Sequence, residues 1–232
     1  MGFFFIVLII CFVLFLFRLY HVAKDDAVLV KKNISLQMVF DSAFFVGLVS
    51  LFTARLFYVL LNFDPLFLNP LAFLIFPYFP GLSLLGGFVG GVLALYFYGK
   101  RRRFPLGRVF DFYTESFGFV LPIGLVGYFL LSGDFSLGGI VKLALFTIIA
   151  LALNFYFQPK ARSLEIKNGT ISILFLIFFS LTMLLTCAID KSGVSNFISN
   201  KESLIYSSFL ILGIIIFIKQ ELIRRKNPKS GK

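Results

Sequence analysis

Charged residues are scarce in this sequence. Asp, Glu, Lys and Arg make up 14% of its 232 residues, whereas they account for about 25% of a typical soluble domain. Hydrophobic residues make up 59%, and the mean hydropathy is +0.96. A soluble domain of this size could not keep so much apolar surface from water. The scarcity of charge therefore excludes that class and predicts an integral membrane protein.

Metal-binding side chains are almost absent. The chain has one histidine, His21, and two cysteines, Cys11 and Cys187. A zinc or iron centre needs several such ligands close together. Each cysteine also lies in an apolar stretch, where a thiol usually acts as a small hydrophobic group. We therefore expect no metal site, no disulfide framework and no cofactor.

Acidic residues are half as frequent as basic ones, 11 against 22, which gives a formal net charge of +11. Seven apolar stretches of roughly membrane length separate the charged segments of the chain. They are residues 2–20, 36–61, 82–98, 109–131, 137–157, 170–189 and 204–218. Of the 22 cations, Lys191 and Lys201 lie in loops on one side, and Arg55 and Lys142 lie inside stretches. The other 18 fall in the loops and flanks of the opposite side.

Cations beside short loops resist translocation, so this asymmetry places the N-terminus outside and the C-terminus in the cytoplasm. We therefore expect an all-α, polytopic integral membrane protein with about seven transmembrane helices. It would form a single transmembrane domain over residues 1–232, with a basic cytoplasmic tail at 219–232. The net charge then reflects topology and attraction to anionic phospholipid, and it does not indicate nucleic-acid binding.

The stretch at residues 81–103 begins with a cluster of glycines and ends in four consecutive cations. Gly86 and Gly90 repeat at four-residue spacing, as do Gly87 and Gly91, which removes side chains from one face of the predicted third helix. Such a face lets another helix backbone or a lipid headgroup come close. Helix packing alone and a binding function are both open interpretations.

The preceding segment, residues 62–81, is apolar and aromatic but contains four prolines. Proline removes helical hydrogen bonds, so this segment cannot be a regular spanning helix. We expect it to lie along the outer interface or to enter the bundle partly, as a re-entrant segment. A simple aromatic belt at the membrane surface is the alternative.

A few charged side chains fall within the apolar stretches. Arg55 lies in the outer third of the second stretch with no obvious acidic residue at that depth, which makes it a candidate for a functional site. Extension of its side chain to the interface is the alternative. Lys142, near the outer end of the fifth stretch, could add a second charge. Asp41 and Asp111 lie near cytoplasmic ends, where we expect them to pair with cations such as Arg108.

Two runs of residues resemble the motifs of a known family. Residues 53–59, Thr-Ala-Arg-Leu-Phe-Tyr-Val, are similar to Gly-Ala-Arg-Leu-x-Tyr-Val, and residues 81–91 are similar to Gly-x-Ser-Phe-His-Gly-Gly-x-x-Gly-Gly. On these runs the chain resembles prolipoprotein diacylglyceryl transferase, a seven-helix bacterial enzyme, from about residue 41 to residue 134. Further residues match in the family order, namely Asp41, Asn69, Pro70, Arg108 and Asp111.

The departures from the family pattern fall at polar positions. The family histidine of the glycine motif corresponds to Leu85. The family signature Gly-Arg-x-Gly-Asn-Phe-x-Asn corresponds to residues 124–131, where Leu125 replaces the arginine and Tyr128 and Leu131 replace the two asparagines. The late arginine of the family has no counterpart in residues 180–187. The resemblance thus implies a divergent member in which no catalytic residue can be assigned.

The family reaction transfers diacylglycerol from phosphatidylglycerol to the lipobox cysteine of a prolipoprotein. The resemblance therefore implies a multi-pass protein of the bacterial plasma (inner) membrane. Its partners would be phosphatidylglycerol or another anionic phospholipid, and a lipobox-bearing prolipoprotein. The expected substrate-binding residues are Arg55, Ser83, Gly86, Gly87, Gly124, Gly127, Tyr128 and Lys142.

Three functions stay open from the sequence. The first is a transferase that retains activity, and the second is a non-catalytic relative that binds lipid or a partner membrane protein on the same fold. The third is a small transporter. Charged residues do not continue across the bilayer midplane, so the transporter has the weakest support.

Overall fold

The computed structural model describes residues 2–24, 26–62, 81–133, 135–163, 165–190 and 201–226. Every regular element in these ranges is a helix, so the prediction of an all-α fold is confirmed. A π-helical segment, Leu153–Phe157, joins α6 to α7 without a break. The helices are α1 Gly2–Ala23, α2 Ala27–Lys31, α3 Leu36–Leu61, α4 Leu84–Arg101, α5 Leu106–Ser132, α6 Leu137–Ala152, α7 Gln158–Arg162, α8 Thr170–Asp190 and α9 Lys201–Lys226.

Six segments of the described chain are long and apolar enough to cross a membrane. Most residues in them are not buried by protein, as expected of helices that face lipid. The chain is therefore a polytopic membrane protein, as predicted. The six segments are Phe4–Ala23, Leu36–Leu61, Leu106–Ser132, Leu137–Arg162, Thr170–Asp190 and Glu202–Gln220.

Helix α4 corresponds to the predicted third span but is not among these six. Its 18 residues give a length of about 27 Å, close to the ~30 Å hydrocarbon core. Its last turn contains Lys100 and Arg101, which lower the hydropathy of so short a helix. A count of seven crossings and the orientation of the termini stay predictions.

Some predicted features lie outside the described residues. The proline-rich segment 62–81 is described only at its two ends, Asn62 and Gly81. The tail is described only as far as residue 226, where α9 ends. The interfacial or re-entrant placement of the first segment and the cytoplasmic placement of the tail therefore stay predictions.

The chain divides into two compact units, Met1–Leu106 and Gly107–Lys232. We call them unit 1 and unit 2 and describe each by itself. The expectation of a single transmembrane domain stays a prediction.

Unit 1 is built on an antiparallel pair, α3 and α4. The start of α4 lies beside the end of α3, because Gly86 approaches Thr53 and Phe57. The end of α4 lies beside the first half of α3, where the rings of Tyr98 and Phe45 are 5.5 Å apart. Helix α1 packs against α3 through further ring contacts, Phe12 with Phe44 and Tyr20 with Phe40.

Unit 2 is organised around α8, which packs against α6 and α9. Aromatic side chains form much of this contact. The ring of Phe179 lies 5.6 Å from Phe146 of α6 and 6.2 Å from Tyr206 of α9. Phe175, one turn earlier, contacts Phe117 of α5 at 6.0 Å. These side chains are large and apolar, and aromatic pairs add specific geometry to their dispersion contacts.

Candidate functional site

Arg55 lies near the end of α3 and is buried, with 2% of its surface exposed. Its Nη1 donates a hydrogen bond of 2.9 Å to the carbonyl oxygen of Gly81. Its guanidinium also lies 5.8 Å from the ring centre of Tyr58, one turn later on α3. The side chain is thus held against the residues that lead into α4.

The backbone of the residue before Arg55 also bonds to the segment that leads into α4. The carbonyl of Ala54 accepts a 3.0 Å hydrogen bond from the backbone N–H of Ser83. Ser83 then caps α4, because its Oγ accepts from the N–H of Gly86 at 3.2 Å. Two consecutive residues of α3 therefore fix the position at which α4 begins. We call this cluster, Ala54, Arg55, Tyr58, Gly81 and Ser83, the Arg55 corner.

Gly81 is required at this corner for two reasons. Its φ angle is +150°, which side-chain-bearing residues rarely adopt. A Cβ at this position would also collide with the ring of Tyr58. The corner is therefore closed by a residue without a side chain, which lets its carbonyl reach Arg55.

The glycine face of α4 is covered by α3. A Cβ on Gly86 would lie 2.6 Å from the backbone oxygen of Thr53, and a Cβ on Gly90 would collide with the Thr53 side chain. A Cβ on Gly91 would lie 2.6 Å from Ser50 Oγ. Gly87 faces the same helix at ordinary contact distance, 3.4 Å from the Cβ of Ala54. The close approach that the spacing predicts is thus made by another helix backbone.

The remaining predicted site residues lie in unit 2. On α5, Gly127 is buried, Gly124 is half-buried and Tyr128 is 56% exposed. Lys142 lies on α6 and is half-buried. Gly127 is followed after one residue by the buried Phe129, whose ring occupies the space beside Gly139 of α6. The structure therefore groups Arg55, Ser83, Gly86 and Gly87 in unit 1 and places the other four in unit 2.

Leu85 and Leu125, the two residues that the motif resemblance aligns with polar positions of the family, are apolar. Leu85 follows the first residue of α4 and has only 1% of its surface exposed. Leu125 lies on α5 and is half-buried. Neither side chain can donate a hydrogen bond, accept one or move a proton. A reaction beside either residue would therefore depend on other groups.

A second polar cluster, in unit 2, was predicted only in part, because the sequence indicated a partner for Asp111 but not Gly169 or Ser172. Asp111 of α5 has 1% of its surface exposed. Its carboxylate accepts hydrogen bonds from the Gly169 N–H at 2.6 Å, the Ser172 N–H at 2.9 Å and the Ser172 hydroxyl at 2.8 Å. Arg108 adds an electrostatic attraction. By contrast Asp41, which was expected to be paired like Asp111, is exposed.

These features define the class of the protein, a polytopic α-helical membrane protein with a buried arginine that contacts the residues before a glycine-rich helix. The model of the prolipoprotein diacylglyceryl transferase family matches residues 2–219. The chain belongs to that family, as its motifs predicted. The match extends well beyond residues 41–134, where the sequence motifs were found. No curated protein sequence matches the chain.

Proposed function

We propose that this protein binds phosphatidylglycerol in the outer leaflet of the bacterial plasma membrane, with Arg55 as the anchor for the lipid phosphate. We further propose that it transfers diacylglycerol far more slowly than family members that carry the polar groups, or not at all. The observation that carries the proposal is the buried guanidinium of Arg55 on α3, which bonds to Gly81 just before α4. Family membership supports diacylglyceryl transfer as the reaction, and phosphatidylglycerol as the lipid is part of the proposal.

The chemistry of a guanidinium favours this assignment. It has five N–H donors in a planar fork, so a bond to one carbonyl is compatible with a bidentate contact to a phosphate. The first turn of α4 adds the partial positive charge of a helix N-terminus, which favours an anion at the Arg55 corner. Because Arg55 is enclosed, a bound phosphate has to displace protein atoms that now surround the guanidinium.

The low expected activity follows from the apolar residues that replace polar groups of the family. In the family reaction a lipobox thiol forms a C–S bond to the glyceryl carbon and the C–O bond to phosphate breaks. Glycerol phosphate is the leaving group, and the thiol proton passes to it, directly or through a base. Such a step needs a group or field that favours thiolate, and cations that stabilise the departing phosphate. Leu85 and Leu125 supply neither. Loss of one such contact typically lowers the rate ~10²–10³-fold, so two losses can abolish turnover.

The test uses purified protein with phosphatidylglycerol and a lipobox peptide. The unaltered protein should bind the lipid, and its transfer should be far slower than that of a relative with the histidine and arginine. Arg55→Ala should weaken binding by about 1.5–3 kcal/mol, because a charged hydrogen bond is lost. Arg55→Lys retains the charge without the fork and should lie between the two. Equal lipid affinity in all three proteins would refute the anchor.

Restoring the polar groups separates the catalytic claim from the binding claim. The triple variant Leu85→His, Leu125→Arg and Tyr128→Asn should raise transfer if the scaffold is otherwise preserved. Its folding has to be checked by thermal unfolding, because buried polar groups without supporting contacts destabilise a protein. Turnover of the unaltered chain equal to that of a complete relative would contradict the slow-transfer claim.

A further inference from the structure

Exposed cations gather at the end of unit 1 that lies away from the Arg55 corner. They come from three helix ends, those of α1, α2 and α4. The ring contacts Tyr20–Phe40 and Phe45–Tyr98 hold the ends of α1 and α4 beside the first part of α3. Phe40 and Arg55 are separated by roughly 22 Å along α3. We call this surface the basic face; it consists of Lys24, Lys31, Lys32, Lys100, Arg101, Arg102 and Arg103, all exposed.

Helices α2 and α4 both end with the same hydrogen-bond pattern on this face. At the end of α4, the N–H of Phe104 donates to Gly99 O at 2.8 Å, and that of Arg103 donates to Lys100 O. At the end of α2, the N–H groups of Ile34 and Asn33 make the equivalent bonds, both of 3.1 Å. These are Schellman motifs, which close a helix with one residue in the left-handed conformation.

The left-handed residue of α4 is Arg103, with φ of +56°. Glycine is the usual residue there, because it alone adopts this conformation without a steric cost. Arginine therefore occupies a position whose backbone conformation favours glycine. Strain kept in this way indicates a function for the side chain. The equivalent residue of α2 is Asn33, with φ of +52°, which tolerates the conformation better and carries no charge.

Three cations of the basic face lie beside tyrosine rings, which indicates their depth in the membrane. Tyr20, Tyr96 and Tyr98 lie four residues before Lys24, Lys100 and Arg102, and each cation lies 5.8–5.9 Å from the ring centre of its tyrosine. Tyrosine is enriched at the level of lipid headgroups, so a cation beside each ring reaches the phosphate layer.

Other residues of the basic face are also typical of a surface at the level of the lipid headgroups. Val30, 70% exposed, places an apolar side chain next to Lys31. An apolar group beside cations is typical of a surface at the boundary between acyl chains and headgroups. Among the described acids at this end, Asp26 is buried and caps α2, and Asp41 is exposed. The charge of the face is therefore strongly positive.

We propose that the basic face binds the phosphates of anionic lipids in the leaflet that it faces, the cytoplasmic one in the predicted topology. This site is separate from the Arg55 corner, and its lipid is a bound neighbour of the protein and not a substrate. Clusters of four to eight cations beside a membrane helix bind anionic lipid, each adding about fivefold in affinity. Arg103 is the most informative member, because its backbone position needs no arginine.

The experiment titrates purified full-length protein in neutral detergent with phosphatidylglycerol and measures bound lipid by native mass spectrometry. All variants are made in the Arg55→Ala background, which removes the proposed substrate site. Arg103→Gly should weaken binding about fivefold without lowering the melting temperature, since glycine suits the left-handed position. Asn33→Gly makes the same backbone change in the other Schellman motif without loss of charge, and should bind as the background does. Arg103→Lys should restore most of the affinity.

Changing Lys100, Arg101, Arg102 and Arg103 all to Gln should remove most of the remaining binding. Equal binding by this variant and the background would overturn the proposal. So would equal losses in Arg103→Gly and Asn33→Gly, since that result would make the effect one of backbone and not of charge. Inorganic phosphate at the same concentration should not compete, and full competition would show a phosphate site without lipid specificity. Failure of Arg55→Ala to affect lipid binding would bear only on the Arg55 corner.

Discussion

Asp111 caps a helix that lies 58 residues further along the chain. The first N–H groups of an α-helix have no partner within it and are usually satisfied by a side chain at the N-cap. At the start of α8 the preceding residue is Gly169, with φ of +92° and no side chain. The Asp111 carboxylate takes its place by accepting from the N–H groups of Gly169 and Ser172. A carboxylate also interacts favourably with the helix dipole there.

This cap predicts a stability role for Asp111. Asp111→Asn should lower the free energy of unfolding by about 1–3 kcal/mol, because one carboxylate oxygen is replaced by an NH2 group, which cannot accept a hydrogen bond. The measurement is thermal or denaturant unfolding in detergent. Asp41→Asn is the matched control, since Asp41 is exposed, and it should change stability by less than about 0.5 kcal/mol. Equal effects of the two variants would contradict the cap.

The sequence predicted that Asp111 needs a partner but not which one. Expected pairing with Arg108 rested on closeness along the chain, and Arg108 does contribute an attraction. The hydrogen bonds, however, come from a helix start that only the tertiary fold brings near. Gly169 before Thr170 gave a weak signal, because a helix that begins after glycine lacks a side-chain cap. A contact across 58 residues could not be deduced from that signal.

At the scale of elements, α3 and α4 pack closely because glycines leave one face of α4 without side chains. Helices in lipid gain little from hydrophobic association, so close backbone approach and dispersion contacts stabilise the pair. Gly86, Gly90 and Gly91 create the necessary space, and Thr53 fills part of it. The hydroxyl of Thr53 bonds back to the carbonyls of Val49 and Ser50, which fixes its rotamer.

This packing predicts different outcomes at neighbouring glycines. Gly90→Ala should destabilise the protein by about 1–3 kcal/mol, because its Cβ would collide with the Thr53 side chain. Gly87→Ala should be neutral or stabilising by up to about 1 kcal/mol, since its Cβ has ordinary contact distances and alanine favours helix. Thermal unfolding of both variants provides the comparison. Thr53→Ala should recover part of the Gly90→Ala loss; equal melting temperatures for the two glycine variants would rule out this packing.

The extents of the long helices were largely predictable. The predicted span 36–61 coincides with α3, and the span 170–189 ends one residue before α8 does. Larger differences occur where a helix continues into charged residues, as α9 does to Lys226 beyond the predicted 218. Hydropathy ends where polar residues begin, whereas helical hydrogen bonding continues until a cap or a breaker. The Arg55 corner needed the fold, because the partner of Arg55 is a backbone carbonyl.

At the scale of the whole molecule, the decisive element is α4. Seven crossings place the two termini on opposite sides of the membrane, whereas six place them on the same side. The six segments that meet the length and hydropathy expected of a span do not include α4. Its ~27 Å length is nevertheless close to the hydrocarbon core, and Lys100 and Arg101 fall in its last turn. Cations there mark the cytoplasmic end of a span in the predicted topology.

Reporter fusions test this topology. A reporter fused after Lys232 should be cytoplasmic, and one inserted between Ser192 and Asn200 should be external, because 18 of the 22 cations lie on the predicted inner side and only Lys191 and Lys201 lie in outer loops. A tag at the N-terminus should be external. If the N-terminal and C-terminal reporters are found on the same side, the number of crossings is even and the predicted count of seven is wrong.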